Sequence, residues 1–255
     1  MTAMAGRRHL GFGLFTVAMI AVFIGLGVWQ LQRRVEKHAL IAALTERLAL
    51  EPVPLPPVSE WNKLTPQEDE FRRVHLRASY GAGPDAMVYS SGSAVRDDVS
   101  GPGTWAFIPA RLPGGEIVVV NAGFVQNTMQ DRPQQDRAVT RLVSGEAADL
   151  IGYIRFPETA GLLTPAADAG KRLWFVRDHL AMAQALGWGN GGKTLAPFYI
   201  DLEQPAPASG IPKPGPLHVH LKDDHLQYAI TWFALAGAVV IAFFIWWRGK
   251  RRGVG

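Results

Sequence analysis

Residues 226–247 read LQYAITWFALAGAVVIAFFIWW, 22 positions without a charge, and the chain then turns basic at once with RGKRR at 248–252. At about 1.5 Å rise per residue, such a run forms a helix about 30 Å long, the thickness of a bilayer's hydrocarbon core. The stretch predicts a transmembrane helix. A second run of 21 uncharged residues, LGFGLFTVAMIAVFIGLGVWQ (10–30), predicts another. All 18 prolines and all 22 acidic residues lie within 31–225. The division expected is a short N-terminus (1–9), a first span (10–30), an aqueous domain (31–225), a second span (226–247) and a basic tail (248–255).

The formal charge of +4 does not point to nucleic acid. Arg7, Arg8, Arg248, Lys250, Arg251 and Arg252 lie at the two ends, and within 31–225 the remaining 20 basic residues face 22 acidic ones. The basicity is topological. Four positives follow the second span, which places the C-terminus, and with it the N-terminus, on the cytoplasmic side. The central domain is then expected in the periplasm. The first span exceeds the about 7–15 apolar residues of a signal peptide and ends in WQLQRR, so it is expected to stay attached. Residues 1–9 are short for a transit peptide, which favours a bacterial inner membrane. The chain has no cysteine, which excludes disulfides and thiolate metal sites.

Beyond Trp29 the apolar residues Leu31, Val35, Leu40, Leu44 and Leu48 keep helical spacing, so the first helix is predicted to leave the membrane and to stop by EPVPLPPV (51–58), a stiff extended connection. Seven short β-type runs follow: RRVHLRASY, MVYS, WAFIPARL, EIVVVNAGFV, ADLIGYIRF, RLWFVRD and PFYIDLE. Turn signals separate several of them, and the links are short, which favours a mostly antiparallel sheet or a small barrel. DHLAMAQALG predicts one helix with Asp178 as N-cap and Gly187 just past its end. PAPASGIPKPGP reads as a Pro/Gly linker into the second span. The fold class expected is two transmembrane α-helices flanking a mostly antiparallel β domain outside the cytoplasm.

No nucleophile elbow, zinc-protease pair, Walker loop or dinucleotide fingerprint occurs, and no enzymatic activity is expected. His218 and His220 would share one face of a strand, compatible with zinc or copper, but match no fixed ligand spacing. His225 opens the second span. On a helix, Tyr228, Ala229, Trp232 and Ala236 fall within about 40° of its direction. Such a face suits a planar apolar ligand whose metal an imidazole holds, and haem fits that chemistry. It also suits an aromatic belt at the headgroups. The opposite face carries Ala234, Ala238 and Ala242, and the first span offers Ala21, Gly25 and Trp29 at matching intervals, both suited to close helix contact, either between the two spans or with a larger membrane partner.

Four stretches together resemble the surfeit locus protein 1 family, assembly factors of haem-copper cytochrome oxidase: LGVWQLQRRVEK (26–37), similar to a G-x-W-Q-x-x-R signature; EIVVVNAGFVQ (116–126); PFYIDLE (197–203); and HLQYAITWFALA (225–236). The resemblance implies a role in building oxidase subunit I by receiving haem a or a related haem from its synthase, with His225 as axial ligand of the iron. Tyr228, Trp232, Trp29 and Gly27 would form the slot. Arg33 and Arg34 would pair the propionates, or anchor the helix end at the lipid headgroups. The chain departs from the family pattern at Ala122 and Phe124, where arginine and tryptophan are usual, and at Asp223 and Asp224, where asparagine is common. Ionised and close, those two carboxylates would favour an imidazolium and so oppose iron binding. The alternative is a structural chaperone that stabilises the subunit without carrying haem.

Overall fold

A computed structural model describes residues 2–252, apart from 82, 94, 127–135, 138, 141, 143–144 and 219–222. It falls into two compact units, one of residues 1–43 with 221–255 and one of residues 44–220.

The first unit is helical. α1 runs unbroken over Thr2–Ala49, so its last residues belong to the second unit, and α4 covers His225–Arg252. Both are long and apolar enough to cross a membrane. α1 ends just before the prolines of 52–57, as their lack of N–H groups requires.

The second unit is built on β-strands. β1 (Val53–Pro54) is followed by a 3₁₀ turn (Val58–Lys63) and α2 (Pro66–Asp69). Then come β2 (Arg73–Tyr80), β3 (Ala86–Ser90), β4 (Gly103–Arg111), β5 (Ile117–Gln126), β6 (Ala147–Arg155), β7 (Leu173–Trp174), α3 (His179–Leu186) and β8 (Leu195–Gln204). Strands pair in the order β2–β6–β8–β5–β4, and β4 returns to β2 through Ser79↔Arg111 and Tyr80↔Ala110. That closes a five-stranded barrel and removes its edges. Among the described residues five strand pairings are antiparallel, while β1–β2, β3–β7 and β5–β8 are parallel.

β2 alternates as a strand with one buried face should: Val74, Leu76 and Ala78 are buried with Val118, Val120, Leu150, Ile154, Phe198 and Ile200 in one cluster. β4, β5 and β8 are buried nearly end to end. Their other faces enter two more clusters, one formed with Met182, Ala183 and Trp188 and one with Met87 and Val139. This is why IVVVNAGFV carries no polar alternation. α3 has the expected caps, with Asp178 accepting from the N–H groups of Leu180 and Ala181 and Gly187 left-handed at φ 73°.

Two expectations need correction. The proline-rich EPVPLPPV also contributes β1, an edge strand in register with Val74 and His75, and Leu55 N–H donates to His75 O at 3.0 Å. The supposed linker is part of the barrel unit. Phe124 and Lys213 exchange two backbone hydrogen bonds, and the Arg96 guanidinium donates to the carbonyls of Lys213, Pro214 and Gly215. Gly123 permits this approach: it sits at φ 124°, and a Cβ there would lie 2.3 Å from the Lys213 backbone. Arg96 is in turn held by Asp98 at 2.7 and 2.9 Å, which keeps the Asp98 carboxyl far below the usual carboxylate range.

Candidate functional site

α1 and α4 run antiparallel and meet along a stripe that reads Phe12, Phe23, Gly27, Gln30, Arg34 and His38 on α1. Phe12 lies 4.7 Å from Trp246, Phe23 stacks on Trp232 at 5.7 Å and 29°, and a Cβ on Gly27 would lie 2.6 Å from the Phe233 ring. The glycine is what lets an aromatic ring lie against the helix backbone. Ala229 and Ala236 are buried in the same unit.

The small-residue stripes do not make this contact. Ala21 and Gly25 on α1 and Ala234, Ala238 and Ala242 on α4 are exposed. Ridges of aromatic side chains fill the helix pair instead, with glycine and alanine as the hollows.

The polar end of the pair is organised around His225. Asp223 Oδ1 accepts the His225 backbone N–H at 3.0 Å, as an N-cap carboxylate does, and the Tyr228 N–H reaches Asp224 O at 3.1 Å. Asp223 Oδ2 lies 2.6 Å from His38 Nε2 and 3.6 Å from Arg34 Nε. Burial opposes ionisation of Asp223, but the hydrogen bonds from His225 N–H and His38 outweigh it and hold the carboxyl below its usual range. Asp223 is thus hydrogen-bonded to the His225 backbone and to His38, with Arg34 beside it.

The imidazole has another partner. His225 Nδ1 lies 2.7 Å from Gln30 Oε1, across 195 residues of sequence. A carbonyl oxygen only accepts, so Nδ1 is the donor, and in the neutral ring Nε2 then carries the lone pair. Nε2 has no partner among the described residues.

The other residues expected at the site are placed as follows. Tyr228 and Trp29 are 54% and 47% exposed, so their rings remain available to a ligand. Trp232 is partly buried against Phe23 and is not an open wall. Gly27 is filled by Phe233 and does not complete a slot. Arg33 sits 5.9 Å over the Trp29 ring and pairs with Glu36 at 2.8 Å. His218 is exposed and its backbone N–H donates to Val95 O, while His220 lies outside the described residues. Among the described residues no three His, Asp or Glu side chains gather as a metal site. The residues that sequence reasoning passed over are Gln30, His38 and the capping role of Asp223. Only Gln30 carried a signal, its place in the WQ pair.

Ala122 is fully buried, and Phe124 packs on Trp105 at 5.1 Å, so neither position of the altered central motif holds a ligand group.

The model of the SURF1 family matches residues 17–237. Surfeit locus protein 1 of Homo sapiens is 30% identical over 240 residues, covering 90% of this chain and 74% of that one. The same protein of Rattus norvegicus is 29% identical over 244 residues, covering 92% and 74%. A SURF1-like protein of Monosiga brevicollis is 28% identical over 256 residues, covering 97% and 92%.

Proposed function

The chain belongs to the SURF1 family, and from that premise we propose that it is a membrane-bound assembly factor for a haem-copper cytochrome oxidase, which receives haem a or a related haem from its synthase and passes it to subunit I. α1 and α4 cross the inner membrane of a bacterium with both termini cytoplasmic and the barrel unit periplasmic. The basic residues after the second span support that orientation.

The observation that carries the reading is His225 with its Nδ1 directed at Gln30 Oε1 and its Nε2 without a partner among the described residues, at the start of an apolar helix. That is the donor atom and the tautomer that an axial ligand of haem iron needs. Among the described residues no second imidazole stands opposite it, and a carrier that must release its cargo benefits from one strong ligand, not two. The exposed rings of Tyr228 and Trp29 offer apolar cover. Arg33 and Arg34 would exchange Glu36 and Asp223 for the propionates. The protein acts by holding and orienting its cargo, not as an enzyme.

One observation favours the structural chaperone instead. Ala229 and Ala236 are buried and Trp232 stacks on Phe23, so much of the helix face that bears His225 is occupied by α1.

The experiment that separates the two is an optical spectrum of the detergent-purified protein, co-expressed with haem a synthesis, for the wild type and His225→Ala. The carrier gives a stoichiometric haem signal that the variant loses. No haem in either protein, with oxidase assembly still dependent on the chain, leaves the chaperone.

A further inference from the structure

The backbone of His225 is fixed by Asp223, but that contact leaves the ring free to carry its proton on either nitrogen. Among the described residues, the side chain that hydrogen-bonds to the ring is that of Gln30. We propose that Gln30 is the positioning residue of the site: its side-chain carbonyl accepts the Nδ1 proton of His225, fixes the tautomer, and aims Nε2 at the cargo. This rests on the carrier reading for what Nε2 binds, but not for where the proton sits.

Three features of the helix pair support the assignment. The bond is short, at 2.7 Å, and joins two half-buried residues, so water competes for it only in part. Gly27, three residues before Gln30, admits the Phe233 ring against α1 and so brings α4 close enough for a glutamine to reach the imidazole. Asp223 makes its hydrogen bonds to the His225 backbone and to His38, with Arg34 beside it, and leaves the Nδ1 contact to Gln30. A neutral acceptor on Nδ1 orients the ring without making it anionic. An anionic acceptor would make the ligand a stronger donor and hold the iron harder, which a protein that passes its haem onward has reason to avoid.

The test uses the full chain in detergent, labelled with ¹⁵N-histidine and free of haem, with the His225 ring signals identified by their loss in His225→Ala. At a pH where the ring is neutral, the wild type is expected to show the Nδ1–H form, Gln30→Leu to shift towards Nε2–H, and Gln30→Glu to retain Nδ1–H. With haem added, Gln30→Leu should weaken binding about 10–100-fold, and Gln30→Glu should bind at least as well with a more negative reduction potential.

A wild type with its proton on Nε2 would mean that Gln30 presents its amide N–H to the ring, and overturns the proposal. Ring signals and haem affinity unchanged in Gln30→Leu overturn it as well, while haem still bound through His225 leaves the carrier reading intact. The converse result, a proton that moves in Gln30→Leu although the wild type binds no haem, removes the carrier reading and supports the role of Gln30. Should Gln30→Leu fail to fold, the potential of Gln30→Glu decides alone: a value equal to the wild type's overturns the assignment.

Discussion

His179 in the barrel unit and His225 in the helix pair carry the same ring in opposite arrangements. His179 is fully buried, and its Nε2 donates to Ala196 O at 3.1 Å while Nδ1 has no partner among the described residues. His225 is half-buried, with Nδ1 donating to Gln30 and Nε2 without a partner among the described residues. A lone pair walled in by side chains serves packing, and one at the surface of an apolar helix can serve a ligand. The same contrast holds for the two regions at large. The barrel unit buries ion pairs such as Arg155–Asp201, and the helix pair gathers Gln30, Arg34, His38 and Asp223 around His225 at one end.

The largest effect should come from breaking the barrel's internal pairing. Asp201 accepts from Arg155 at 2.8 Å and from Asn121, with Arg177 at 4.0 Å, and Arg155 also binds Glu70 at 2.6 Å and lies 4.4 Å over the Phe71 ring. Removing one partner leaves a buried guanidinium undercompensated. Asp201→Ala should cost about 3–5 kcal/mol in denaturant unfolding of the full chain. A loss under about 1 kcal/mol, the level of exposed ion pairs, would mean that the barrel's charges are no more committed than those near His225.

Next comes acid. Burial pushes the His179 imidazole down to about 4 from 6.5, the hydrogen bond to Ala196 opposing only in part. The unfolded chain therefore binds a proton between those values that the folded chain refuses. Stability is complete above pH 6.5 and falls as pH drops towards 4. The loss attributable to this group is about 3 kcal/mol, and His179→Met should remove that part of the slope. Equal slopes in the two proteins would show that the ring is not shielded, and the contrast with His225 would collapse.

A smaller effect is expected in the helix pair. Gly27→Leu forces side-chain atoms into the space of the Phe233 ring and should lower the thermal midpoint of the full chain in micelles, at a cost of about 1–3 kcal/mol. Phe233→Ala in the same chain should restore part of it. Failure of that rescue would place the glycine's role elsewhere.

Much of this was legible in local sequence. Asp178 and Gly187 announce both ends of α3, and the seven β-type runs each contain a strand, since caps and alternation are properties of neighbouring residues. What joins distant segments was not. Closure of the barrel rests on Ser79↔Arg111, the docking of residues 213–215 on Arg96 and Gly123, and the tautomer of His225 on Gln30. Each depends on two segments meeting, and no periodicity reports that. The helix contact was left open for a related reason: small residues on two faces look alike in sequence, and the aromatic rings opposite them decide which face is used.

The smallest effect on the fold belongs to the residue with the largest role in the proposed chemistry. His225→Ala removes one half-buried hydrogen bond to Gln30 and leaves the Asp223 cap, which binds the backbone, in place. The expected cost is about 0.5–1.5 kcal/mol, and the barrel's unfolding should not change. His179→Ala, by contrast, empties a fully buried site and should cost several times more. Measured side by side by denaturant unfolding, the two variants separate a histidine kept for packing from one kept for its lone pair. If His225→Ala destabilised the chain as much as His179→Ala, the open Nε2 would be incidental, and His225 would be a structural residue at the end of a helix.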